Sequence, residues 1–220
     1  MDYHDFYQIR SNQVVFSDVK LKSTIRKYCA HPYQRPISAR AVRQFEHLLE
    51  HLHRFPRPII VDSGCGKGKS SQILAQSYPD HLVIAIDQSE YRLRSLRSLQ
   101  ADNIYIVQEN CIDFWRLLSA SDLIIDMHLL LYPNPWPKKR HENRRWYAHP
   151  IAPLLLNMSR LTIMRSNWLA YLQASAVVAN QLGLCHSLES LPNLIEPMTH
   201  FEAKYCQHHV SLYQLKIINI

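Results

Sequence analysis

Four glycines occur in 220 residues, and three of them, Gly64, Gly66 and Gly68, fall within five consecutive positions. A chain that otherwise nearly dispenses with glycine has gathered it where the backbone must turn sharply or admit a close neighbour. The apolar run Ile59-Ile-Val61 precedes the cluster and closes on Asp62, and residues 69–76 behind it have helical character. Strand, glycine turn and helix together open a βαβ unit, whose ligand crevice lies at the carboxyl ends of parallel strands.

The rest of the chain repeats that alternation. Residues 38–54 carry Val42, Phe45, Leu48, Leu49 and Leu52 at helical spacing, with Ser38 as N-cap and Pro56 and Pro58 as stops. Further strands are expected at 82–86, ending at Asp87, and at 104–107, 123–131 and 161–164. Helices are expected from Ser89 to 99, at 114–118, at 149–158, and at 168–182 with Gly183 closing the last. Two late strands, near 185–191 and 210–217, show no helical pattern between them, which predicts an antiparallel hairpin at one edge. The fold class is therefore α/β: a Rossmann-like, mostly parallel doubly wound sheet with an antiparallel C-terminal edge hairpin. Residues 1–36 are polar with weak periodicity and read as an N-terminal extension, leaving 37–220 as the main domain.

The glycine loop narrows the ligand. A dinucleotide site uses GxGxxG with a pyrophosphate at the helix end. Here the spacing is GxGxG, and Asp62 stands just upstream, where an acid repels pyrophosphate but suits an ammonium group. S-adenosylmethionine carries that ammonium and no phosphate. Asp87, at the next strand end, is placed for ribose hydroxyls. After the third strand, Asn110 and the backbone of Cys111 are candidates to read the adenine edge; Glu109 and Asp113 read equally well as surface acids.

Charge adds a partner. Lys+Arg 25 against Asp+Glu 18 gives +7, which suits a polyanion such as nucleic acid. Five widely spaced cysteines form no CxxC pair, so neither a zinc ribbon nor a disulfide framework is indicated, and reduced, mostly buried thiols are expected. Thirteen histidines show no spacing that would set metal ligands on one helix face, so no metal is expected. No apolar run approaches the roughly 20 residues of a membrane span, and the polar start MDYHDFYQIR is unlike a secretory signal. A cytoplasmic protein with no membrane partner, monomeric or homodimeric, is the expectation.

The fourth strand leads into Tyr132-Pro-Asn-Pro-Trp-Pro-Lys-Lys-Arg-His-Glu-Asn-Arg-Arg145. Three prolines stiffen this segment, Trp136 offers a stacking face, and Lys138, Lys139, Arg140, Arg144 and Arg145 offer charge for phosphates. Trp115, Trp146 and Tyr147 read as packing residues, and Trp168 and Tyr171 as either packing or contact.

At this point the sequence resembles the S-adenosylmethionine-dependent tRNA (guanine-N7-)-methyltransferases. The resemblance rests on D-S-G-C-G-K-G at 62–68, Asp87, P-N-P-W-P-K-K-R-H at 133–141, R-R at 144–145, S-N-W at 166–168 and T-H-F-E-A-K at 199–204. It implies a metal-free Rossmann-like enzyme acting on tRNA. It assigns Asp62, Asp87 and Asn110 to the donor, and Lys138, Asn167 and Thr199 to Glu202 to the substrate, with Trp136 and Arg140 in the same motif. The family usually has Asp, held to be catalytic, where this chain has Asn134, and Thr-Asp-Trp where it has Ser166-Asn167-Trp168.

Both departures replace a carboxylate with an amide of similar shape. Guanine N7 has an in-plane lone pair and needs no base, so alignment is the main catalytic task and activity is expected to survive. Asn134 would orient the base, with Glu202 supplying part of the missing negative charge. Two alternatives stay open: a non-catalytic or weakly active RNA-binding relative, and a methyltransferase for exocyclic amines, suggested by Asn134-Pro-Trp136.

Overall fold

The computed structural model describes residues 16–99, 101–192 and 196–219. Residues 1–15, and with them most of the polar segment that opens the expected extension, lie outside the described residues. The elements run α1 (Asp18–Ala30), α2 (Ala39–Arg54), β1 (Ile59–Ser63), α3 (Lys69–Ser77), β2 (Leu82–Ile86), α4 (Glu90–Arg97), β3 (Ile104–Val107), α5 (Cys111–Ser119) and β4 (Ile125–Leu131). Then follow 3-10 turns at Lys139–Arg144 and Trp146–Ala148, α6 (Ala152–Asn157), β5 (Leu161–Ser166), α7 (Leu169–Gln181), β6 (Cys185–Ser190), α8 (His200–Gln207) and β7 (Tyr213–Ile218). The seven strands form one sheet in the order β3-β2-β1-β4-β5-β7-β6.

The chain divides into two compact units. The first comprises Gln34–Leu130 with Met158–Arg160. Its strands β1, β2, β3 and β4 pair in parallel, and every residue of β1 and β2 is buried. Strands covered on both faces must be apolar throughout, which is why 59–61 and 82–86 read as unbroken hydrophobic runs rather than alternating ones. The register sets Ser63 beside Ile86, so the glycine loop and Asp87 leave the sheet at one level. Helix α2 starts as expected, with the Ser38 hydroxyl accepting the Ala41 N–H at 3.0 Å, and buries Ala41, Phe45, Leu48 and Leu52. Helix α5 begins three residues before the expected start because Asn110 caps it.

The second unit comprises, among the described residues, 16–33, Leu131–Asn157 and those from Leu161 onward. Here β7 pairs antiparallel with both β5 and β6. The antiparallel edge is as expected, but its connection is not a bare hairpin: α8 intervenes. That helix is short, and its capping pattern Thr199-x-x-Glu202 gave no apolar periodicity to detect. Within the extension, α1 packs against α7 and buries only Leu21 and Ile25, too narrow a stripe to show as periodicity. All five cysteines are free; Cys65 is buried, Cys111 and Cys206 are half-buried, and Cys29 and Cys185 are exposed, so the thiols are not the mostly buried set that was expected. Among the described residues no helix is long and apolar enough to cross a membrane.

Candidate active site

The donor-binding candidates all fall in the first unit. Gly64, Gly66 and Gly68 adopt φ of 71°, 60° and 79°, the left-handed region that side chains resist. Their surroundings differ. A Cβ on Gly68 would lie 2.5 Å from Leu96 Cδ1, so this position seats α3 against α4. A Cβ on Gly64 would meet nothing within 4 Å, and one on Gly66 only the Gly64 carbonyl at 4.0 Å. Two of the three glycines therefore leave room beside bare backbone, where a ligand can approach closely.

The loop's own N–H groups decide what that ligand is not. Gly64 and Cys65 donate to the Ile86 carbonyl at 2.8 and 3.0 Å, Gly66 donates to Asp87 Oδ2 at 3.0 Å, and Gly68 donates to the Cys65 carbonyl at 2.9 Å. With those four donors turned inward, the loop makes no cradle for a pyrophosphate, which argues against a dinucleotide.

The acids are built into the same frame. Asp62 is buried, and its Oδ2 accepts the Ser70 and Ser71 hydroxyls, both at 2.6 Å, tying β1 to the first turn of α3. Burial pushes its pKa upward against those two bonds, and Asp87 adds to the rise. Asp87, also buried, accepts the Ser89 N–H at 2.8 Å as well as the Gly66 N–H, and Arg92 pairs with its Oδ1 at 3.0 Å. Asn110 directs its side-chain oxygen to the Ile112 N–H at 2.9 Å. Burial pushes the Cys111 thiol up to about 12. Glu109 and Asp113 are not surface acids: Glu109 accepts the Ser38 hydroxyl at 3.2 Å, and Asp113 accepts the Ser38 N–H at 3.2 Å, so together they hold the start of α2.

One constellation escaped the sequence reading. Ser63 Oγ accepts the Trp115 indole N–H at 2.8 Å and lies 2.8 Å from His128 Nε2, all three residues being buried. Burial lowers the His128 pKa to about 3, so the imidazole is neutral. The available signal was a lone histidine inside the apolar run 123–131. Trp115 packs as expected.

The substrate candidates fall in the second unit. Asn134 is exposed, and its Oδ1 accepts the Trp136 N–H at 3.2 Å, an Asx turn that shapes the segment. Trp136 has φ 44°; its ring carries the Arg144 guanidinium 4.8 Å from the centroid and the edge of His141 at 5.3 Å. Lys138, Lys139 and Arg140 are exposed. Arg145, expected to meet phosphates, is instead 2% exposed and donates to the Trp136 and Pro137 carbonyls and to the Tyr147 hydroxyl. Its charge is committed to holding the loop. Trp168 and Tyr171 resolve to packing: both are buried, and the Tyr171 hydroxyl accepts the Trp146 N–H at 2.9 Å.

Thr199 and Glu202 form the N-terminal cap of α8. The Thr199 hydroxyl accepts the Glu202 N–H at 3.0 Å, and Glu202 Oε2 accepts the Met198 N–H at 2.5 Å. Glu202 is fully buried, and its Oε1 pairs with Arg165 at 3.0 Å. Arg165 donates to Gln214 at 2.7 Å, and Gln214 to Glu189 at 2.7 Å, across three adjacent strands. Asn167 follows β5, and its amide nitrogen is shielded from solvent with no hydrogen-bond partner among the described residues. Among the described residues no group of three His, Cys, Asp or Glu side chains could hold a metal ion.

Residues 56–215 match a family model described as "Putative methyltransferase". The chain belongs to this methyltransferase family. The chain is 35% identical over 94 residues to the tRNA (guanine-N(7)-)-methyltransferase of Mycobacterium ulcerans, an alignment covering 40% of this chain and 34% of that protein. It is 25% identical over 174 residues to the protein of the same name from Oceanobacillus iheyensis, covering 72% of this chain and 79% of that one. The chain thus spans about a third of the length of the Mycobacterium relative. Among solved structures, an antibiotic-related methyltransferase superposes with TM-score 0.56 at 16% identity, covering 85% of this chain and 96% of that one, a likeness of fold. The chain has the Rossmann-like class I fold, and its family implies S-adenosylmethionine as the cofactor. The open backbone at Gly64 and Gly66 fits it.

Proposed function

We propose that this methyltransferase transfers a methyl group from S-adenosylmethionine to guanine N7 in tRNA. When bound, the cofactor supplies an electrophilic methyl on a sulfonium. The chain's own residues do the rest. Asp62, with Oδ2 occupied by two serine hydroxyls, keeps Oδ1 for the ammonium of the donor's amino-acid tail. Asp87 braces the glycine loop and would hold the ribose hydroxyls, and Asn110 and the Cys111 backbone would hold the adenine.

Guanine N7 attacks through its own lone pair, so no residue need remove a proton first. What remains is alignment, which calls for a rigid substrate segment. The carrying observation is that the 132–145 segment is already locked. An Asx turn at Asn134 and four bonds from Arg145 fix its course, while Lys138, Lys139 and Arg140 stay free for phosphates. Pre-ordering lowers the entropy lost on binding RNA. The choice of guanine and of tRNA is supported by the names of the Mycobacterium and Oceanobacillus relatives. Glu202 is assigned a holding role, since Arg165 neutralises it; this replaces the expectation that its charge offsets the methylated base.

The test is nucleoside mass analysis of unmodified tRNA incubated with protein and methyl donor. The expected product is 7-methylguanosine. A methylated exocyclic amine, or no methylated nucleoside, overturns the reading.

A further inference from the structure

We propose that the enzyme reads its guanine through hydrogen-bond donors aimed at the O6 carbonyl, supplied by the amide nitrogens of Asn134 and Asn167. The inference rests on the guanine-N7 reading above and names the edge of the base that is recognised.

Two observations carry it independently. The side-chain oxygen of Asn134 accepts the Trp136 N–H, at 3.2 Å, which fixes the amide plane, while its two N–H groups have no partner among the described residues and stay open to a ligand. The amide nitrogen of Asn167 is shielded from solvent and has no partner among the described residues. An orphaned buried donor is costly, and an acceptor arriving with a ligand relieves that cost. The two asparagines also start from one point. The Tyr132 N–H donates to the Arg165 carbonyl at 2.8 Å, and each asparagine lies two residues beyond one member of that bond.

A pair of donors selects among purines by simple chemistry. Position 6 is a carbonyl acceptor in guanine and an amine donor in adenine. N7 is also an acceptor, but its lone pair must remain free for the methyl group. O6, beside it, has two lone pairs and can take both N–H bonds. A carboxylate at either position accepts only, and would face the N1–H and 2-amino groups instead. Exchanging carboxylate for amide thus moves recognition to the other side of the base, which accounts for both asparagines with one physical reason.

The test uses the full chain and a tRNA ligated from synthetic pieces, with the methylated guanosine, once mapped, replaced by inosine or by 2-aminopurine. Inosine keeps O6 and lacks the 2-amino group; 2-aminopurine does the reverse. Transfer to inosine should stay within about threefold of guanosine, and transfer to 2-aminopurine should fall about tenfold to a hundredfold, the range for leaving buried donors unpaired. Asn134→Asp preserves the Asx turn and swaps only N–H for an acceptor oxygen. It should slow transfer to guanosine about tenfold, with donor binding by calorimetry unchanged. Loss of inosine with retention of 2-aminopurine, or a faster Asp variant, overturns the inference while leaving the guanine-N7 reading standing. No transfer to the unsubstituted tRNA overturns both.

Discussion

The guanidinium of Arg145 donates from Nε and from Nη2 to the carbonyl of Trp136, at 3.2 and 3.0 Å. A forked cation on a single carbonyl fixes both the place and the orientation of the peptide that carries the indole. Arg145→Lys keeps the charge and loses the fork. The expected result is a rise of about tenfold in KM for tRNA with little change in donor affinity, since the residues proposed to hold the donor belong to the other compact unit. Steady-state kinetics and donor calorimetry check this, and equal losses in both would refute it.

The glycine loop separates space for a ligand from space needed for folding. Gly68→Ala meets Leu96 at 2.5 Å and a left-handed φ, and should cost roughly 2–3 kcal/mol of stability. Gly64→Ala carries only the left-handed strain, about 1 kcal/mol, but puts a methyl where the donor would lie. Denaturant unfolding should rank Gly68→Ala as the less stable variant, and donor calorimetry should show a loss for Gly64→Ala beyond what its stability explains.

His128 is held neutral in the fold with a pKa near 3, below the roughly 6.5 of the unfolded chain. The unfolded state therefore binds more protons between those values. His128 makes stability fall by about 1.4 kcal/mol per unit as pH drops below 6.5, towards 3. Asp62 acts in the opposite sense, its raised pKa favouring the fold at low pH. The comparison of wild type with His128→Phe isolates the histidine. The two should differ in the slope of unfolding free energy between pH 6 and pH 4, as measured by urea titration; parallel slopes would contradict a buried neutral imidazole.

Thr199 and Glu202 were expected at the substrate and are found holding a helix. Thr199→Ala should cost about 1 kcal/mol, the usual effect of removing a cap. Glu202→Ala should cost about 3–5 kcal/mol because it strands the Arg165 guanidinium, which is 14% exposed. If Glu202→Ala leaves the unfolding midpoint unmoved while abolishing transfer, the residue contacts substrate after all.

Replacing Lys138, Lys139 and Arg140 together with Ala should lower the slope of log K against log salt for tRNA by about 2, the value for three contacts to a single strand. Fluorescence titration at several salt concentrations measures it. An unchanged slope would remove these side chains from the RNA contact.

Much of the architecture was legible in the chain itself. The unbroken apolar runs at 59–61 and 82–86 read as strands, and the three clustered glycines marked a sharp turn, which the structure makes with left-handed backbone. These are local demands, written residue by residue. What stayed hidden was the allocation of polar groups. Five basic residues between 138 and 145 looked alike, yet one of them, Arg145, is buried beneath the loop while Lys138, Lys139 and Arg140 face solvent. Thr199 and Glu202 looked like a substrate motif and cap a helix, and His128, which the sequence did not single out, completes a buried chain with Ser63 and Trp115. A side chain's type fixes how many hydrogen bonds it can make. Which partners it makes them with depends on residues distant in sequence and brought close by packing, and that only the tertiary structure decides.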